Sequence, residues 1–375
     1  MRRPVTLRWL HLAAFALLAG CGMFGSSDKK PNPLPEIASP LPVKVAWQAS
    51  GAKSRGFAFA PAAAQGVIYA AGADGAIIGM GDGTGRVELR IDAGQKLSGG
   101  VGFGDGKIVV GTVKGEVLAF DNSGRSLWKS PVAGEVLAPP TVLSTAILVR
   151  TADGRIFALN PLDGRRRWVY QRATPALTLR SNAGVVVSRG TVYAGFAGGK
   201  LVAIEIDSGK PIWEATLSLP RGATELERVA DVGGIPVLDD TRICAAVYQG
   251  RSGCLETLNG NVLWSREISS AAGVAVDSRN LYLSDDTGNV LALDKVSGAS
   301  VWKQDKLAQR RLGTPVAFDG KVWVGDGNGL VHILSTDNGA LIGRVATDGS
   351  AVNALLAVGD QLIAQSANGG IFAIR

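Results

Sequence analysis

At 375 residues, with 50 glycines and 6% aromatics, the chain is long enough for two ordinary domains or one large all-β unit. Abundant Val, Ile and Ala, with almost no helix start or stop signals past the N-terminus, favour short strands joined by tight turns. The net charge of +7 falls to about +4 once Arg2, Arg3 and Arg8 of the leader are set aside, which is weak ground for nucleic acid and suits an acidic protein partner or anionic lipid equally well.

Residues 1–20 read as an export signal. Arg2 and Arg3 form a basic start, and "WLHLAAFALLAG" is an apolar run too short for a confident membrane span. The run closes on "LAGC", Leu18 to Cys21, which resembles a bacterial lipobox. That resemblance implies a lipidated Cys21, and Gly22 in place of Asp favours sorting to the outer membrane. Acyl chains anchor by about 0.8 kcal/mol per buried CH₂. Residues 21–42 carry five prolines and almost no hydrophobic periodicity, so they are expected to be a semi-rigid tether reaching roughly 60 Å.

From residue 43 to 375 the chain repeats. An apolar pair opens a strand at Ile68, Ile108, Ile147, Val192, Ile243, Leu281, Val322 and Leu362, with gaps of 40, 39, 45, 51, 38, 41 and 40. A tight turn with glycine follows each, taken here as two-residue turns such as Asp74-Gly75 and Gln249-Gly250. A further strand, a second glycine turn and a last strand complete the copy. Trp128, Trp168, Trp213, Trp264 or Trp302 stands four residues past that second glycine, while Leu89 and Gly343 hold the slot elsewhere. One short strand precedes each landmark, giving four strands per copy. The eighth copy stops after three, and "VKVAWQAS" with Trp47 has no copy of its own. The expectation is an eight-bladed β-propeller of four-stranded antiparallel blades, closed by the N-terminal strand completing the last blade. The spaced tryptophans read as blade-to-blade packing, each indole N–H near a polar partner.

Chemistry-bearing motifs are few. "GDGTG", "GFGDG" and "GDGNG" are each followed by a strand, where a phosphate loop needs a helix and an EF-hand needs a helical glutamate. Past the leader His332 stands alone, which excludes a multi-histidine metal site and leaves one position for a triad. Glu205, Glu256 and Asp294 recur before a turn and read as acceptors of backbone N–H groups. No catalytic residue, metal site or cofactor is expected. Cys244 and Cys254 flank one hairpin. With a two-residue turn, Cys244 faces Leu255, so a disulfide needs a bulge or a register shift.

Two copies are delayed by insertions, "QRATPALTLRSNAG" (171–184) and "LPRGATELERVADVGG" (219–234), expected on one rim. The first carries Leu177, Leu179 and Arg180; the second carries Glu225, Glu227, Arg228 and Asp231. They serve as a binding surface, or the leucines plug the mouth of the propeller.

A lipobox, a Pro-rich tether, eight Trp-bearing repeats and these two insertions together resemble the BamB family, lipoproteins of the bacterial outer-membrane β-barrel assembly machine. "PALTLR" (175–180) and "ELERVADV" (225–232) are the specific parts, since the repeats alone are shared with quinoprotein dehydrogenases. The resemblance implies a non-catalytic scaffold at the periplasmic face of the outer membrane. It implies that Leu177, Leu179, Arg180 and Asp231 contact the POTRA domains of BamA. Unfolded barrel precursors, adding a strand to a blade edge, are a weaker partner. A second acidic position of the family is Gly233 here. The alternatives are a pyrroloquinoline quinone dehydrogenase, whose adjacent Cys-Cys pair this chain lacks, and a general periplasmic peptide-binding propeller.

Overall fold

The computed structural model describes residues 30–51 and 53–375, so the leader and Cys21 lie outside the described residues. The described residues contain no helix. Their strands form eight four-stranded antiparallel sheets and one two-stranded sheet, arranged as an eight-bladed propeller. Blades 1 to 7 cover 62–92, 102–131, 141–170, 185–216, 237–267, 274–304 and 316–346. Blade 8 takes three strands from 352–374 and its fourth from Val45–Ser50. That last pairing runs Val45↔Ile374, Trp47↔Ala373 and Ser50↔Gly370. The ring therefore closes through hydrogen bonds between the two ends of the chain. The eight landmark residues that open the second strands are all 0–1% exposed.

The tryptophans seal one blade to the next. Trp128 donates its indole N–H to the Pro161 carbonyl at 3.0 Å, Trp168 to Ile206 at 2.8 Å and Trp213 to Thr257 at 2.9 Å. Trp264, Trp302 and Trp47 do the same to Lys295, Thr336 and Asp82. Each ring lies under the second glycine turn of the following blade. A Cβ on Gly164 would sit 2.5 Å from the Trp128 ring, and its φ of +69° favours glycine as well. Leu89 fills the slot beneath Gly124. Gly343 has no such turn to seal, because the corresponding turn of blade 8 is where the chain ends meet. Leu41 and Val43 pack there against Ile342, Val345 and their neighbours instead.

Two expectations change. The hairpins between second and third strands do not turn in two residues: in blade 1 Gly72 N donates to Ala76 O, leaving Ala73, Asp74 and Gly75 as the turn, and in blade 5 the ladder stops at Ala245↔Gly253 with 246–252 beyond it. This moves the register by one. In blade 5, Ile243 pairs with Leu255 and Cys244 with Cys254. The two cysteines, Cα atoms 4.0 Å apart, form a disulfide without any bulge between them. The error lay in the turn length.

The Pro-rich stretch is also only partly a tether. Asn32 N donates to Ala308 O, Arg310 Nη1 to Asn32 O, Arg344 Nη2 to Pro35 O and Leu41 N to Ile342 O. Leu34 packs on the core between blades 6 and 7. Residues 32–43 thus form a strap along the outer strand of blade 7, covering an edge that would otherwise offer bare backbone groups.

Candidate functional site

Every blade has an even number of strands, so all connections from a fourth strand to the next first strand emerge on one face. The insertions 171–184 and 219–234 are two of these connections. The first crosses the mouth of the ring. Arg180 Nη2 donates to Glu135 Oε1 at 2.9 Å, in the connection between blades 2 and 3. Its guanidinium lies 5.2 Å from the centre of the Phe57 ring, in the connection into blade 1. Leu179 and Arg180 line a hollow with Phe57, Leu137 and Ala271. Leu179 is half-buried and in this respect plugs the mouth; Leu177 is 43% exposed.

Asp231 is placed differently from a surface contact. It is 4% exposed and belongs to the two-stranded sheet Asp231–Val232 with Val247–Tyr248. One carboxylate oxygen accepts the Leu179 N–H at 2.6 Å and the other the Gly198 N–H at 3.2 Å. It latches the first insertion to the second. Within the second insertion the charged residues build the loop. Glu227 accepts N–H bonds from Ala223 and Thr224, which hold its carboxyl below the usual range. Arg228 donates to Gly222 O. Among these exposed charges two leucines also stand in solvent, Leu219 at 69% and Leu226 at 71%. Sequence reasoning missed both leucines. Their signal was a lone aliphatic inside a polar insertion, the same one that marked Leu177.

Beneath the first insertion lies a cavity of about 50 Å³ lined by Arg150, Thr174, Thr178, Phe196 and Asp231 among others. The Arg150 guanidinium stacks on Phe196 at 4.9 Å, and Arg172 stacks on the same ring at 5.5 Å. Burial pushes the Arg150 pKa down to about 10, with the charge of Asp231 opposing.

A family model described as outer membrane protein assembly factor BamB matches residues 76–304 and 288–375. Outer membrane protein assembly factor BamB of Nitrosomonas eutropha is 40% identical, over 98% of this chain and 94% of that protein. The protein of the same name from Burkholderia pseudomallei is 37% identical, over 97% and 96%. The chain belongs to the BamB family. A crystal structure of BamB from Moraxella catarrhalis superposes with a TM-score of 0.82 at 26% identity, covering 89% of this chain and 99% of that one. A quinohemoprotein alcohol dehydrogenase from Comamonas testosteroni reaches 0.72 at 13% identity, covering 88% and 76%, which is a likeness of fold alone.

The glycine at the second acidic position expected from the BamB resemblance has a local cause. A Cβ on Gly233 would lie 2.5 Å from the Ala271 carbonyl oxygen, so a side chain there needs the next connection to shift. His332, the one position open to a triad, is fully buried in blade 7, away from both insertions. Its Nε2 lies 3.0 Å from Asp326 Oδ2, which also accepts from Arg310 Nε at 2.6 Å. Burial alone would raise the Asp326 pKa, but hydrogen bonds from His332, the Leu330 amide and Arg310 bring it to about 2. The cluster is closed to solvent and joins the blade 6–7 connection to blade 7. Asp294 caps its turn as expected, accepting from Val296 N and Ser297 N, while Glu205 accepts from the Ser208 hydroxyl.

Proposed function

We propose that the chain is a non-catalytic scaffold of outer-membrane β-barrel assembly, held at the periplasmic face of the outer membrane by a lipid on Cys21. Its two long connections bind the POTRA domains of BamA. The near full-length kinship with proteins named as outer membrane assembly factors supports the first part. One observation carries the second, the Asp231 latch. It ties two otherwise independent loops into one platform, from which Leu177, Leu219, Leu226 and Arg180 are presented together with little ordering left to do on binding. In this reading Leu177 is a buried anchor in the complex, contributing roughly 1.5–3 kcal/mol. Arg180, already oriented by Glu135 and Phe57, makes a charge-assisted bond to a partner carboxylate. Leu179 and Asp231 act from below by holding the loop.

The test is capture by isolated POTRA domains of BamA. Leu177→Ala combined with Arg180→Ala is expected to weaken capture by at least about tenfold with the melting temperature unchanged. Undiminished capture by that variant removes this rim from the interface. Asp231→Asn separates presentation from contact: it should weaken capture and speed hydrogen exchange at the Leu179 amide together.

A further inference from the structure

The cavity under the first insertion contains more donors than its own residues use. Arg150, which lines it, has a buried Nη1 without a hydrogen-bond partner among the described residues; Arg172 stands outside the lining and pairs with Glu214. Both guanidinium groups stack on Phe196. The acidic groups nearby are engaged elsewhere. Both Asp231 oxygens accept backbone N–H groups, and Asp153 accepts from Arg155 Nε at 2.8 Å and from the Thr151 hydroxyl at 2.5 Å. A buried guanidinium nitrogen left unmet bears its desolvation penalty uncompensated, so an acceptor for it has a strong preference for this place. Thr174 and Thr178 line the cavity and are themselves exposed, so it reaches solvent between them.

From these features we infer that the cavity is a receptor for a single carboxylate head of a polypeptide, an Asp or Glu side chain or a chain terminus, with Arg150 as its principal ligand. Size sets the class. About 50 Å³ admits one or two water-sized groups, so the head enters and the rest of the residue stays outside. Shape agrees, because the planar fork of a guanidinium matches a carboxylate in two parallel bonds. Charge sets a limit rather than an attraction: Asp153 and Asp231 share the wall, so a singly charged group meets less repulsion there than a phosphate dianion. The site is separate from Arg180 and does not depend on the identity of the partner.

The experiment titrates ¹⁵N-labelled mature protein with acetate and, in parallel, with its neutral isostere acetamide and with inorganic phosphate. The Leu179 and Gly198 amides, which donate to Asp231 at the cavity wall, are the reporters. Saturable shifts with acetate alone are expected, abolished in Arg150→Gln and weakened by about tenfold or more in Arg150→Lys, which keeps charge but loses the fork. Equal responses to acetate and acetamide, a stronger response to phosphate, or an acetate response that survives in Arg150→Gln each overturn the proposal. Should Arg150→Gln fail to fold, Thr178→Val at the rim replaces it, and an unchanged acetate response in that variant counts against the site. A peptide with one Asp and an amidated end, against one with only a free C-terminal carboxylate, then tells which source fits; binding of neither overturns the polypeptide assignment.

Discussion

The tryptophans of the blade seams and the arginines of the loop face treat their N–H groups in opposite ways. At the seams each indole N–H meets one carbonyl of the next blade, at 2.7 to 3.0 Å. On the loop face Arg150 and Arg172 keep buried nitrogens unmet, and Leu219 and Leu226 stand mostly in water. A satisfied hydrogen bond contributes about 1 kcal/mol, whereas a buried group left alone costs about 1–3. The seams therefore serve the ring itself. The loop face carries exposed leucines and unmet guanidinium nitrogens that the ring's own packing does not use.

The sharpest way to break this contrast is Trp128→Ala. It removes a buried indole and leaves the Pro161 carbonyl unpaired, and is expected to cost about 3–5 kcal/mol in urea unfolding. Leu177→Ala should stay within about 0.5 kcal/mol in the same assay. Equal costs would mean that the loop face supports the ring as much as the seams do.

A smaller effect comes from blade 5, where the two regions meet. The Cys244–Cys254 disulfide closes the hairpin whose tip pairs with Asp231 and Val232. Replacing both cysteines with alanine should cost about 2–3 kcal/mol, since the cross-linked loop is short. Hydrogen exchange should rise at Val232 and Val247 before it rises in blade 1. Uniform change across all blades would dissociate the staple from the latch.

The smallest effect is a pH dependence at His332. Burial lowers its pKa, the Asp326 contact opposes, and the charges of Arg344 and Arg310 add to the lowering. The unfolded chain therefore takes up this proton first. Stability is full above a pH of about 6.5 and declines as pH falls toward the folded value, with a slope of at most about 1.4 kcal/mol per pH unit. Asp326, at about 2 when folded, adds a loss of the same sign below pH of about 4. Unfolding midpoints between pH 7 and 5 should flatten in His332→Gln while the loss below 4 persists.

Most of the ring could be read from sequence because the repeat places one landmark, one glycine and one tryptophan at fixed offsets. The register of Cys244 could not, since a two-residue and a three-residue turn carry the same glycine. Asp231 was singled out through the family resemblance, but its burial could not be read: nothing local shows that the Leu179 and Gly198 amides turn it inward. Arg150 gave no signal at all, being a lone basic residue at a strand end. The strap was not foreseen, because the prolines around Leu34 and Leu41 read as an extended linker and nothing local shows what the chain docks against.

That strap changes the reach of the molecule. Its first docked residue, Asn32, sits beside Ala308 on the face that carries the two insertions. With the proposed lipid at Cys21, only the ten residues from 22 to 31 remain to pay out, a reach of at most about 30 Å where 60 Å was expected. On the proposed lipidation, so short a mooring would narrow the arc through which the wheel can swing.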